Sequence, residues 1–241
     1  MTKTAVIMAA GMGVRFGKYT EFIPKGFVEC GSKSMVVGSI ETLIDCGIER
    51  IIIGTGYHKE WYESLADFFP QIECVFSPRF AETNSMYTLF NCREAVADDD
   101  FLLLESDLIF ERAAISSLLG HEEPNIMLIT PVNKFQDQYY VEYDENHQLT
   151  MCSTDKSELD VKGELVGIHK LSNGFYKAMC EDYASKVDDY PKLGYEYEIL
   201  SMAQGGSRVY VLNKTGLLWY EIDDSKDLEY AEKYVEPLIK R

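Results

Sequence analysis

Met8-Ala9-Ala10-Gly11-Met12-Gly13-Val14-Arg15-Phe16-Gly17 continues the apolar run Val6 to Ala9 and leads through Lys18 to Pro24-Lys25. A buried strand that empties into glycines lets backbone N–H groups approach phosphate oxygens that a Cβ would hold off. Two common phosphate loops do not fit. The dinucleotide fingerprint G-x-G-x-x-G needs its third glycine where Phe16 stands, and Gly17 comes one place late. A Walker A loop fails because Gly17-Lys18 is followed by Tyr19 and no glycine stands five positions before Gly17. What remains is a long loop bearing Gly, Arg and Lys, suited to a triphosphate and not to a dehydrogenase.

Charge concentrates on the same stretch. Among residues 1 to 35, Lys3, Arg15, Lys18, Lys25 and Lys33 face only Glu21 and Glu29, a balance of +3. The whole 241-residue chain carries −17, so the rest carries −20. A body this acidic repels polyanions, which excludes a nucleic acid polymer as partner but allows one small anionic ligand at the loop. Size scaling for 27.5 kDa gives about 11,000 Å² folded against about 40,000 Å² unfolded, enough burial for one large α/β domain. No apolar run reaches the roughly 20 residues that cross a bilayer, so no membrane insertion is expected. The N-terminus runs straight into the glycine loop, too short for a signal peptide. The six cysteines form no C-x-x-C pair and several lie in apolar segments, which predicts reduced core thiols and a cytoplasmic protein.

Working outward, strand and helix patterns alternate. Residues 35 to 46 repeat at helical spacing up to Gly47, Ile51-Ile52-Ile53 reads as a strand covered on both faces, and a helix at 59 to 69, a strand at 72 to 76 and a helix at 86 to 96 follow. Phe101 to Leu104 is the next strand, ending at Glu105-Ser106-Asp107, with a helix at 111 to 119 and a strand at 126 to 129. This rhythm predicts an α/β, Rossmann-like doubly wound, mostly parallel mixed sheet. Alternation at 139 to 152 around Asp144-Glu145-Asn146 predicts a hairpin within a small β subdomain at about 133–165, on the acceptor side of a single domain spanning 1–241. Strand 164 to 170, helices 173 to 186 and 195 to 204, strand 208 to 212, Trp219 to Ile222 and a charged helix from about 225 complete the chain.

Ala9-Ala10-Gly11-Met12-Gly13-Val14-Arg15 with Pro24-Lys25 resembles the signature of sugar-1-phosphate nucleotidyltransferases and their relatives. It lacks the Pro-Leu usual after the arginine region, having Gly17-Lys18-Tyr19 instead. Gly54 to Glu60, Thr83 to Leu89 and Glu221-Ile222-Asp223 are similar to the small-alcohol-phosphate cytidylyltransferases. Within that branch, Pro24-Lys25-Gly26-Phe27 and Leu104-Glu105-Ser106-Asp107-Leu108 resemble the 2-aminoethylphosphonate enzymes more than the phosphocholine ones. The resemblance implies a Mg²⁺-dependent transfer of CMP from CTP to a small phosphonate or phosphate acceptor. It also allows a homodimer or a fusion to a second enzyme module. The runner-up acceptor is phosphocholine, then a sugar 1-phosphate, for which the chain leaves little room. A nucleotide-binding module without activity is the rival from another class.

Such a nucleophile is already ionised near pH 7, so catalysis reduces to positioning and charge neutralisation, with no need of a nucleophilic triad. Lys25 is the expected catalytic cation at the α-phosphate, and Arg15 suits the departing β- and γ-phosphates. Lys18 is either a helper or a solvated loop lysine. The resemblance marks Asp107 and Asp223 as magnesium ligands, both at strand ends, where α/β sheets place ligands. Asp224, adjacent, is the better helix N-cap. Nucleotide contacts are expected from Ala9, Ala10, Gly11, Gly13, Arg15, Lys25, Thr83, Asn84, Ser85 and Ser106. Thr83-Asn84-Ser85 reads equally as an N-cap, and the helix it opens could receive the acceptor's phosphonate. Candidates for the acceptor's amine are the rings of Tyr139, Tyr140, Tyr195 and Tyr197 or the carboxylates of Asp137, Glu196 and Glu198, with Asn84, Tyr139 and Glu196 taken as the acceptor set. Lys156 and Lys162 could reach a phosphonate.

Overall fold

A computed structural model describes residues 2–133 and 138–239. The chain opens with β1 (Thr4–Ala9), a short β2 and β3 (Glu29–Cys30, Lys33–Ser34), α1 (Met35–Asp45) and β4 (Arg50–Thr55). Then come α2 (Lys59–Glu63), β5 (Ile72–Phe76), α3 (Ser85–Asn91), α4 (Arg93–Val96), β6 (Phe101–Glu105) and β7 (Leu108–Phe110). The second half holds α5 (Ala113–Leu119), β8 (Ile126–Thr130), β9 (Tyr140–Tyr143), β10 (Leu149–Ser153), β11 (Gly163–Leu171) and α6 (Asn173–Ala184). It closes with α7 (Tyr195–Gln204), β12 (Tyr210–Asn213), β13 (Trp219–Glu221) and α8 (Ser225–Tyr234).

The main sheet runs β10-β9-β11-β6-β1-β4-β5, with β8 and β12 continuing from the other edge of β11. β1 lies parallel between β4 and β6, and β11 is antiparallel to β6, β8 and β9. Strand alternation gives the sheet two cores. Val6 and Met8 pack with Met86, Leu89, Tyr176 and Ile199 on one face, while Ala5, Ile7 and Ala9 pack with Val36, Ile40, Leu43 and Ile115 on the other. The doubly wound, mixed sheet expected from the alternating pattern is therefore present.

Several segments differ from the sequence reading. The helix expected over 59 to 69 stops at Glu63 and tightens into a 3-10 turn at Ser64–Asp67, and the one over 86 to 96 breaks at Cys92. The hairpin at 139 to 152 is present, but β9 hydrogen-bonds to Gly163 and Glu164 of β11, so it extends the main sheet instead of standing beside it. Because β11 runs antiparallel to β6, its first residues lie beyond the end of β6 that carries Glu105. The hairpin thus projects past the same sheet edge as the candidate site.

Trp219 to Ile222 does not return to the main sheet. β13 pairs with β7, a strand that the apolar pattern leading into helix 111 to 119 conceals, in a separate two-stranded ribbon with Glu221 opposite Leu108. A third apolar cluster joins Phe16 of the glycine loop to Val28, Ile109, Ile222, Ala231 and Val235, clamping loop, ribbon and α8 together.

Candidate active site

The glycine loop is held open by one backbone conformation. Gly13 sits at φ +59°, and a Cβ there would stand 3.0 Å from Lys25 Cβ and 3.2 Å from Thr20 Cγ2. Both the left-handed conformation and the close approach demand glycine. After it the chain coils as 3-10 turns over Val14–Thr20, with Phe16 N–H donating to Gly13 O at 3.0 Å and the Thr20 hydroxyl to the same oxygen at 2.9 Å. The Phe16 ring is buried, which anchors the loop from below. Pro24 then starts the short turn Lys25–Phe27 that presents Lys25 beneath the loop.

The ribbon brings the two aspartates together from distant parts of the sequence. Asp107 follows β6 in the tight connection to β7, Asp223 follows β13, and Ile222 N–H donates to Asp107 O at 3.0 Å. The Lys25 ammonium bridges both carboxylates, at 2.7 Å from Asp223 Oδ1 and also bonded to Asp107, and Arg15 Nη2 reaches Asp223 at 2.8 Å. Burial pulls the lysine pKa down, but the Asp107 and Asp223 charges outweigh it, so the ammonium is held more firmly protonated than an ordinary lysine. Asp224 caps α8, accepting from Lys226 N at 2.7 Å and Asp227 N at 2.9 Å. The two neighbours are thus divided as their positions suggest, 224 toward the helix and 223 toward the cations.

Glu221 joins this cluster. Asp107, Glu221 and Asp223 each offer an oxygen within 4.8 Å of the others. Asp107 Oδ1 is buried without a hydrogen-bond partner. Three hard carboxylate oxygens, one of them orphaned, suit a hard divalent cation such as Mg²⁺. Glu221 was missed as a ligand, although the spacing carries a signal: positions 221 and 223 of an extended segment point to one side.

These groups line a cavity of about 470 Å³ that also contains Gly11, Gly13, Asn84, Ser85, Ser106, Tyr139 and Glu196. Ala10 and Thr83 line an adjoining recess of about 160 Å³, with Phe80 on its wall. Ala9 does not reach either space. Its side chain is core and its backbone is paired with Thr55 in the β1–β4 ladder.

Thr83-Asn84-Ser85 has its polar groups largely committed. The Thr83 hydroxyl donates to Arg79 O at 2.6 Å, Asn84 caps α3 by accepting from Ser85 N at 2.9 Å, and Asn84 Nδ2 donates to Lys192 O at 3.2 Å. Met86 N–H donates to Leu193 O at 3.2 Å and Tyr87 N–H to Asn84 O at 3.1 Å. With its first amides engaged, the seven-residue α3 offers no anion seat for an acceptor phosphonate.

Of the amine candidates, Tyr139 and Glu196 face the cavity. Tyr140 and Tyr195 are core residues, Tyr197 packs edge-on against Tyr139, and Glu198 is buried in an ion pair with Lys186 at 3.0 Å. Asp137 lies outside the described residues. Lys156 stands 4.4 Å over the Tyr140 ring and Lys162 donates to Tyr143 O at 2.9 Å, so both stay with the hairpin. Glu105, which the sequence reading left without a role, lines the cavity too.

Burial, then the Asp107 and Glu196 charges, hold the Glu105 carboxyl well above the usual carboxylate range, and burial pushes Glu196 up to about 7. A carboxyl that titrates near 7 when folded and near 4.3 when unfolded takes up a native-state proton between those values, so stability falls as pH rises through that window, by about 4 kcal/mol in full. Glu196→Gln should flatten this part of the fall. Urea melts of the two proteins between pH 4.5 and 8 measure it, and equal slopes would contradict the buried, raised carboxyl.

A glycine-rich nucleotide loop over a doubly wound sheet, with cations meeting a carboxylate cluster beneath it, defines the nucleotidyltransferase class. The chain belongs to the MobA-like NTP transferase domain family, which it matches over residues 5–168. A CMP-5'-(3-aminopropyl)phosphonate synthase of Streptomyces rubellomurinus is 25% identical over 246 residues, covering 97% of this chain and 39% of that protein. A 2-aminoethylphosphonate cytidylyltransferase of Lancefieldella rimae is 29% identical over 105 residues, covering 44% of this chain and 43% of that protein. The alignments thus span about two-fifths of these curated relatives. In fold, the chain is similar to the CTP:phosphocholine cytidylyltransferase of Streptococcus pneumoniae, with a TM-score of 0.82 at 22% identity over 97% of this chain and 99% of that one. Among the described residues no helix is long and apolar enough to cross a membrane.

Proposed function

We propose that this chain, as one nucleotidyltransferase domain over 1–241 with the segment 133–165 on its acceptor side, is a Mg²⁺-dependent cytidylyltransferase. It joins the CMP moiety of CTP to 2-aminoethylphosphonate and releases pyrophosphate. The observation that carries the reading is the Lys25 bridge between Asp107 and Asp223 at the floor of the glycine-loop cavity. It places a firmly protonated ammonium and a set of hard oxygen ligands at one point, as transfer between two polyanions requires.

A phosphonate oxygen attacks the α-phosphorus, a new P–O bond forms, and the bond from the α-phosphorus to the β-bridging oxygen breaks. The electron pair leaves with pyrophosphate. No proton is removed from the nucleophile, which is already ionised near pH 7, so the step needs no catalytic base. Lys25 neutralises charge at the α-phosphoryl group, and Arg15, whose side chain is 53% exposed, swings from Asp223 to the departing phosphates. The open backbone at Gly11 and Gly13 cradles the triphosphate, and Ser106 lines its path. Ala10, Gly11, Thr83, Asn84 and Ser85 bound the recess that takes the base, and Asn84 also borders the acceptor. Asp107, Glu221 and Asp223 would hold the magnesium, whose contribution when bound is to neutralise phosphate charge.

Lys25 bonds to both aspartates and Arg15 to Asp223, so phosphates that attract these two cations would free carboxylate oxygens for a divalent ion. Phosphocholine is the second reading, favoured by the Tyr139 ring on the cavity wall, which Tyr197 backs edge-on at a centroid distance of 5.5 Å. A pyrophosphate-release assay crossing CTP, UTP and ATP with 2-aminoethylphosphonate, phosphocholine and glucose 1-phosphate tests both. CTP with aminoethylphosphonate should give the highest kcat/KM. Release with none of the nine pairs would return the chain to a nucleotide-binding module.

A further inference from the structure

Two carboxylates of the cavity, Glu105 and Glu196, have no part in the binding of metal or triphosphate described above. Glu196 is 7% exposed, yet its Oε2 has no hydrogen-bond partner. The carboxylate packs closely against Gly194 on the cavity wall. A Cβ built on Gly194 would lie 2.5 Å from Glu196 Oε2, 3.3 Å from Tyr139 Oη and 3.6 Å from Ser85 Oγ, so carboxylate, phenol and hydroxyl are neighbours on the wall of the one cavity. Gly194 has extended backbone angles that any residue adopts, so it is the room, not the conformation, that calls for glycine.

Leaving a buried acceptor unsatisfied costs about 1–3 kcal/mol, and more when it is charged. Such a group is matched by a ligand bearing both positive charge and N–H donors. A primary ammonium has both. A quaternary ammonium has charge but no N–H, and is held instead by several aromatic faces. Among the described residues only Tyr62 and Tyr139 bring rings to the cavity wall, and Tyr62 is buried against Phe27 at a centroid distance of 5.2 Å. One exposed ring does not make a cage.

We propose that Glu196 and Tyr139, with the Glu105 carboxyl as a further oxygen on the same wall, form a seat for the primary ammonium of the acceptor and select it over a quaternary ammonium. This deepens and rests on the cytidylyltransferase reading. It assigns Glu105, and gives the glycine at 194 a steric purpose.

The test compares three acceptors with CTP: 2-aminoethylphosphonate, its N,N,N-trimethyl analogue and ethylphosphonate. The wild-type protein should prefer the primary amine over both by about 10- to 100-fold in kcat/KM. Glu196→Gln should lose most of that preference through KM for the amine, with KM for CTP following the wild type. Gly194→Ala, which pushes a methyl against the carboxylate, should act in the same direction, and Glu196→Asp should recover part of the preference. Equal use of the trimethyl analogue, or an unchanged preference in both Glu196→Gln and Gly194→Ala, would overturn the ammonium seat while leaving the cytidylyltransferase standing. Turnover of none of the three acceptors would overturn the aminoethylphosphonate reading and this one with it.

Discussion

Lys25→Ala should lower pyrophosphate release from CTP by at least about 10³-fold, the upper range for removing one preorganised donor from a developing charge. The size follows from placement. The ammonium is 13% exposed in its side chain and bridges Asp107 and Asp223, so water cannot take its place at full strength. Lys25→Arg should restore little, since a planar fork does not fill the seat of a compact point charge. The same variant has a second readout. With the internal cation gone, Asp107, Glu221 and Asp223 should bind Mn²⁺ more tightly in the absence of nucleotide, measured by calorimetry or by loss of the free-ion paramagnetic signal. Near-normal turnover would remove Lys25 from catalysis, and unchanged Mn²⁺ affinity would remove it from the competition with metal.

Asp223→Asn should be almost as severe, with kcat/KM down by about 10²–10³-fold and the Mg²⁺ concentration for half-maximal rate raised. Asp223 is 5% exposed and holds Arg15 and Lys25 at once, with Glu221 beside it. The amide keeps the shape but removes the charge that both cations answer. Stability should also drop, by about 1–3 kcal/mol for a buried charged partner left short, and a denaturant melt reads this separately from activity. Asp224→Asn should differ in kind, since that side chain caps α8 and an asparagine caps nearly as well. Wild-type magnesium dependence in Asp223→Asn would show that the metal assignment is misplaced.

Local chemistry carried much of the reading. The glycine spacing, the alternation of apolar strands with helical segments, and the placement of Asp107 just past a buried strand are short-range patterns, and the elements they imply are present with shifted ends, apart from the helix over 59 to 69, which tightens at Ser64, and the one over 86 to 96, which breaks at Cys92. Gly13 and Lys25 could be paired by motif, though their contact is a matter of loop closure. Ala9 was drawn into the site by its place in the motif, yet the ladder with β4 and the packing of its side chain take it out. Thr83-Asn84-Ser85 could be read as cap or contact, and the loop from Pro191 to Leu193, remote in sequence, takes up Asn84 and Met86 N–H.

By itself, the sequence determined an α/β nucleotide domain, the strand-to-glycine loop and the acidic body with one basic segment, and it named as candidates Arg15, Lys25, Asp107 and Asp223, which the structure brings together. These depend on residue type and on spacing within a turn or a strand, where geometry is nearly fixed by the backbone. Only the tertiary structure decided that β7 and β13 form their own ribbon, that Glu221 joins Asp107 and Asp223, and that Glu105, Tyr139 and Glu196 share one cavity wall. Those groups come from strands and helices widely separated along the chain, and their distances are set by sheet register and by how α3 and α7 pack across it. No local pattern records that packing, because it is the compromise of many apolar contacts made at once.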